Sequence, residues 1–203
     1  MIANVITLIR MPLLAIVAVL LYQPSGVWHL VAAGAIVVLI LLDSVDGIVA
    51  RSLGQTSVLG SVLDIAADRA VEQVMWIVYA HLGLLPVWVP LVVVVRGIFV
   101  DAIRAVAPAR GLTPFELLHS RLGRFLVKSP WLRSPYGAVK ALAFCLLAVQ
   151  SGLEMMGAPN AHIVAIAAQI ATWAAVALCL LRGLPVLVEG PRTLRELPER
   201  PTD

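Results

Sequence analysis

Six stretches of mostly apolar residues, roughly 5–22, 28–50, 61–82, 86–106, 136–157 and 162–184, make up most of this 203-residue chain. A helix needs about 20 such residues to cross a bilayer. The pattern therefore predicts an all-α, polytopic membrane protein with six transmembrane helices. Turn residues separate them: Pro24-Ser25-Gly26, Gly83 to Pro86, and Gly157-Ala158-Pro159. Only 13% of the residues are charged, against about 25% in ordinary soluble domains, which excludes a soluble enzyme. Tyr22, Trp28, Trp88 and Tyr136 fall near predicted helix ends, where aromatic side chains anchor at the interface. Cys145 and Cys179 lie inside apolar segments without CxxC spacing, so buried thiols are expected rather than a disulfide or a metal site. No small-residue cleavage site follows the first apolar run, and a cleaved signal peptide is not expected.

The basic residues set the expected orientation. The turns at 23–27, 83–86 and 158–161 carry no Lys or Arg. The connection 104–135 carries Arg104, Arg110, Arg121, Arg124, Lys128 and Arg133, and the tail carries Arg192, Arg195 and Arg200. By the positive-inside rule both termini face the cytoplasm across the inner membrane. Residues 1–189 are expected to form one membrane domain, and 190–203 a disordered tail. Within 107–135, Phe115, Leu118, Leu122, Phe125 and Leu126 share one helix side and Arg121, Arg124 and Lys128 surround the other. This predicts a basic amphipathic helix on an anionic leaflet, with a lid over the active site as the alternative.

Polar residues in such a chain need a reason. Asp43 and Asp46 are one turn apart, with Gly47 and Ala50 on their face; Asp64 and Asp68 are likewise one turn apart, with Gly60 a turn earlier. Two helices joined by the short polar turn Ser52–Ser57 would bring the four carboxylates together at the cytoplasmic end. Carboxylates at membrane depth are costly unless they meet a wet cavity, a cation or each other. Since like charges repel, a hard divalent cation with oxygen ligands, Mg²⁺ or Mn²⁺, is the natural partner. The glycines are equally suited to close helix packing.

The spacing D-x2-D-G-x2-A-R-x8-G-x3-D-x3-D over Asp43–Asp68 resembles the signature of the CDP-alcohol phosphotransferase superfamily, with all eight positions filled. At one residue in twenty per position, chance supplies that in on the order of one window in 10¹⁰. The resemblance implies transfer of a phosphatidyl group from CDP-diacylglycerol to an alcohol, with release of CMP, by a homodimeric membrane enzyme of phospholipid biosynthesis that has no nucleic-acid partner. It implies that Asp43, Asp46, Asp64 and Asp68 hold metal, two ions of Mg²⁺ or Mn²⁺, and that Asp68 also acts as general base. Gly47 and Gly60, with Asp43 and Ala50, would leave room for the CDP-lipid, and Arg51 would steady its phosphates. The opening N-x2-T-x2-R, Asn4, Thr7 and Arg10, resembles that of phosphatidylglycerophosphate synthases, although Ala3 stands where Pro is usual and a preceding interfacial helix is not expected. Asn4 and Thr7 would then reach the nucleotide diphosphate with Arg10 nearby; from spacing alone Arg10 is equally a membrane anchor.

The acceptor follows from further buried cations. Arg96 sits about ten residues from the outer end of its segment, roughly 15 Å deep, where an Arg normally faces a cavity or a partner. Arg104 is two turns below on the same face. The two could bind an acceptor phosphate, as the similar R-x7-R span of phosphatidylglycerophosphate synthases implies, or Arg96 could pair with Asp101 or Glu72. Lys140, a remnant with Gly137 of the family's G-K-x-K-T run, and Arg182 could join them or serve as anchors. Arg69 is expected to pair with Glu72. A phosphorylated acceptor needs such cations, so glycerol 3-phosphate ranks first, then inositol phosphate, then phosphatidylglycerol. A divalent-cation transporter would need acidic residues on both sides of the membrane, and the outer halves offer only Glu154.

Overall fold

The computed structural model describes the backbone of residues 2–52, 58–109, 120 and 130–196, and the side chains of 9–43, 60, 62–107, 120 and 135–193. Among the described residues the regular structure is helical, in six helices: α1 Ile2–Leu21, α2 Gly26–Ser52, α3 Val58–His81, α4 Trp88–Ala109, α5 Pro130–Met155 and α6 Ala161–Glu196. The helices end where the turn chemistry predicts. Gly83 and Gly157 adopt φ of 76° and 64°, a left-handed conformation that costs glycine nothing. Leu84 N–H then bonds to Tyr79 C=O and Gly83 N–H to Ala80 C=O; Ala158 and Gly157 repeat the pattern onto Leu153 and Glu154. Both are Schellman closures, which satisfy the last carbonyls of α3 and α5.

Three helical segments are long and apolar enough to cross a membrane: Gly26–Asp43 in α2, Pro135–Met155 in α5 and Ala161–Thr193 in α6. The apolar stretch of α1 is shorter, Ile9–Leu21. Helices α3 and α4 are interrupted by charge, Asp64, Asp68, Arg69 and Glu72 in one and Arg96, Asp101 and Arg104 in the other. Asp64, Asp68, Arg96 and Arg104 among them are the residues singled out above for function. Two boundaries differ from expectation. Helix α5 begins at Pro130 rather than near 136, consistent with the preference of Pro for a first helical position. Helix α6 continues to Glu196, so the first seven residues assigned to a tail are helical. Of the predicted turn Ser52–Ser57, Ser52 ends α2 and 53–57 lie outside the described residues; of the connection 107–135, residues 107–109 belong to α4 and 130–135 to α5, and the rest apart from Ser120 lie outside them.

The chain divides into two units. The first comprises Met1–Pro90 and Lys140–Thr172. In it α1 packs on α2 and α3, burying Leu14, Val17, Leu21, Ile36 and Leu39. Trp76 and Phe144 meet edge to face, ring centroids 4.8 Å apart, and the Tyr79 hydroxyl donates to the Phe144 carbonyl at 2.5 Å. Gly26 and Gly152 touch through their backbones, so that a Cβ on either would strike the other. The second unit comprises Leu91–Val139 and Trp173–Asp203. Its core holds Val100 and Val186 with Ile103 and Leu187 against them. The Ser120 amide and hydroxyl both donate to the Glu189 carboxylate. Cys145 and Cys179 form no disulfide.

Candidate metal centre

In the first unit Asp43 near the end of α2 and Asp64 and Asp68 of α3 converge. Each offers a carboxylate oxygen within 4.8 Å of the other two. The one-turn spacing places Asp64 and Asp68 on the same face of α3, and α2 extends far enough to bring Asp43 beside them. The acids are not in the first turn of α3, which begins at Val58. The helix dipole therefore gives them little help, since its effect fades within one turn. The positive charge comes from Arg10 of α1 instead. Its NH1 lies 2.5 Å from Asp43 Oδ1 and 3.8 Å from Asp64 Oδ1, and NH2 donates to Asp68 Oδ1 at 2.9 Å.

Arg10 is 2% exposed, whereas the side chains of Asp64 and Asp68 are about half exposed, at 53% and 51%. The cluster is thus closed on the Arg10 side and open to a ligand on the other. Its hard oxygen donors from two helices suit Mg²⁺ or Mn²⁺, which take carboxylates together with water or substrate oxygens. The side chains of Asn4, Thr7, Asp46, Gly47, Ala50 and Arg51 lie outside the described residues, although all six residues are helical. Gly60 belongs to the first turn of α3. Sequence reasoning missed Arg10 as the partner of the carboxylates. The available signal was its place at the same boundary as four acidic residues.

One turn beyond Asp68, Glu72 is buried. Arg69 donates to its Oε2 at 3.1 Å, as expected from their spacing, and Lys140 Nζ lies 3.5 Å from the same oxygen. Both cations remain partly exposed, at 27% and 22%. The structure thus places Lys140 beside a carboxylate within the first unit.

The second unit holds Arg96, Arg104 and Arg182. Arg96 is buried and its side chain runs across Gly183, where any Cβ would meet its Cγ, Cδ and Nε. Its Nε is enclosed without a hydrogen-bond partner. Arg182, the neighbour of that glycine, lies over the Tyr136 ring, 5.5 Å from the centroid, a favourable cation–π distance. Arg104 is two turns along α4 from Arg96.

Comparison with known proteins places this geometry in context. The family model described as CDP-alcohol phosphatidyltransferase matches residues 1–181. Two curated relatives, from the CDC 1551 / Oshkosh and ATCC 25618 / H37Rv strains of Mycobacterium tuberculosis, are each described as a probable phosphatidylglycerophosphate synthase. Both are 28% identical over 115 residues, covering 55% of this chain and 55% of the relative. The matched region thus spans about half the length of these relatives.

Proposed function

We propose a specific reaction from one premise, that this chain belongs to the CDP-alcohol phosphatidyltransferase family: the phosphatidyl group of CDP-diacylglycerol passes to glycerol 3-phosphate, and CMP is released. The observation that carries this reading is the convergence of Asp43, Asp64 and Asp68 from two helices. Asp43, Asp64 and Asp68, with Asp46, would hold divalent ions, two Mg²⁺ or Mn²⁺. Such ions, when bound, neutralise charge on the pyrophosphate. Asp68, half exposed, takes the proton from the acceptor hydroxyl. That oxygen attacks the β-phosphorus, and the bond to the CMP oxygen breaks. Asn4, Thr7 and Arg51 bind the nucleotide diphosphate, and Gly47, Ala50 and Gly60 leave space for cytidine.

The acceptor phosphate falls to Arg96, Arg104 and Arg182 of the second unit, while Lys140 faces Glu72. The burial of Arg96, with its Nε lacking a partner, supports an anionic ligand, because a buried guanidinium with unmet donors is costly. The names of the Mycobacterium tuberculosis relatives support glycerol 3-phosphate as that ligand. In this reading all six helices span the cytoplasmic membrane, both termini and the carboxylates face the cytoplasm, and the enzyme is a homodimer. The lipid donor then enters sideways from the leaflet while glycerol 3-phosphate arrives from water.

CMP release from CDP-diacylglycerol by the purified protein with Mg²⁺ or Mn²⁺ tests the reaction. Release that requires glycerol 3-phosphate is the expected result. Release that requires inositol 1-phosphate, phosphatidylglycerol, inositol or serine instead would overturn the acceptor and retain the chemistry. Arg96→Ala is expected to raise KM for glycerol 3-phosphate about 10- to 100-fold, the worth of one charge-assisted contact, with little change in KM for the lipid donor. Gly183→Val, which thrusts a side chain onto Arg96, should move the same constant in the same direction. Unchanged acceptor KM in both variants would remove Arg96 from the phosphate site.

A further inference from the structure

Arg10 is the buried charge that the proposed reaction leaves without a task. Its guanidinium belongs to α1, and the three carboxylates it meets belong to α2 and α3. The contact of NH1 with Asp43 is an ion pair without hydrogen-bond alignment, and neither NH1 nor Nε has a hydrogen-bond partner. A guanidinium that is 2% exposed and only partly satisfied is an expensive group to bury. It persists here because the three carboxylates would otherwise repel one another across no more than 4.8 Å. Three carboxylates against one guanidinium still leave a net charge of −2, which attracts divalent cations. Such a cation would draw on the same carboxylate oxygens, so Arg10 and the cation work against each other at Asp43 and Asp68.

We propose that Arg10 is the resident counter-ion of the carboxylate cluster, holding Asp43, Asp64 and Asp68 together in the cation-free chain and yielding part of that hold when a divalent cation binds. The inference rests on the reading of the cluster as a metal site. It makes two effects of opposite sign. Removing Arg10 destabilises the cation-free protein and strengthens cation binding, whereas a residue that only packs α1, or only contacts substrate, would not tighten cation binding.

The test uses the full chain in detergent micelles, with Mn²⁺ titrated and followed by electron paramagnetic resonance, and thermal unfolding measured with and without Mn²⁺. Arg10→Gln is expected to bind Mn²⁺ about tenfold more tightly than the wild type, to unfold at lower temperature without Mn²⁺, and to regain more of its stability on saturation. Arg10→Lys should fall between the two, because an ammonium is a single point where the guanidinium forks; it also carries the comparison should Arg10→Gln not fold. Asp64→Asn supplies the reference for a weakened site. If Mn²⁺ binds the wild type, is weakened by Asp64→Asn, and binds the Arg10 variants no more tightly, the counter-ion role is overturned while the metal site stands. If neither the wild type nor any variant binds Mn²⁺, the metal-site reading falls and the counter-ion role falls with it.

Discussion

Asp68→Asn should lower CMP release by about 10²- to 10⁴-fold, the range expected when a general base is removed, while the protein stays folded. The substitution is nearly isosteric. The carboxamide that replaces the carboxylate can still accept a hydrogen bond from Arg10 NH2 through its carbonyl oxygen, in place of the contact that Asp68 Oδ1 makes at 2.9 Å. What is lost is the negative charge and the ability to take a proton from the acceptor hydroxyl. Binding of the CDP-lipid should persist in large part, since Asp43 and Asp64 remain. The measurements are initial rates of CMP release at saturating lipid and acceptor, together with the unfolding temperature of both proteins. An activity within about tenfold of wild type in a folded Asp68→Asn protein would remove Asp68 from the role of base.

Gly152→Leu should lower stability by about 2–3 kcal/mol, or roughly 5–10 °C in unfolding temperature. The reason is geometric. A Cβ at Gly152 would lie 2.8 Å from the Gly26 carbonyl oxygen and 3.1 Å from Leu30 Cδ2. A side chain can rotate away from a clash; the backbone carbonyl of an adjoining helix start cannot. Helices α2 and α5 must separate at this point, and the close approach that small residues permit between apolar helices is lost. Gly34→Ala is the control, because a Cβ there meets nothing within 4 Å, and in a helix interior Ala is favoured over Gly. Equal unfolding temperatures for Gly152→Leu and Gly34→Ala in the same detergent would show that the Gly26–Gly152 contact contributes nothing.

The helices were legible because their causes are local. Apolar runs near 20 residues, broken by Pro24, Gly83 and Gly157, mark where helices must start and stop. The Schellman closures at Gly83 and Gly157 show the chemistry behind two of those breaks. The pairing of Arg69 with Glu72 is equally local, three residues apart on one helix. Even the carboxylate cluster was half visible, since one-turn spacing puts Asp64 and Asp68 on a common face before any tertiary contact forms. The less legible boundaries were at the helix ends: α5 starts at Pro130 and α6 runs on to Glu196, where propensity is weak and packing has more influence.

Hydrophobic length and the aspartate spacing thus pointed to a helical membrane protein, to its family resemblance and to Asp43, Asp64 and Asp68, three acidic residues that converge among the described residues. Partner choice across the fold was decided by the tertiary structure. Arg10 and Asp68 are 58 positions apart, and Lys140 and Glu72 are 68 apart. No local rule chooses between a snorkelling arginine and one that closes a carboxylate cluster, or between a lysine that awaits phosphate and one that faces Glu72. Packing of α1 against α2 and α3 makes the first choice. The placement of Lys140 beside α3 makes the second. In a medium with little water a buried charge takes whatever opposite charge the packed helices bring within reach.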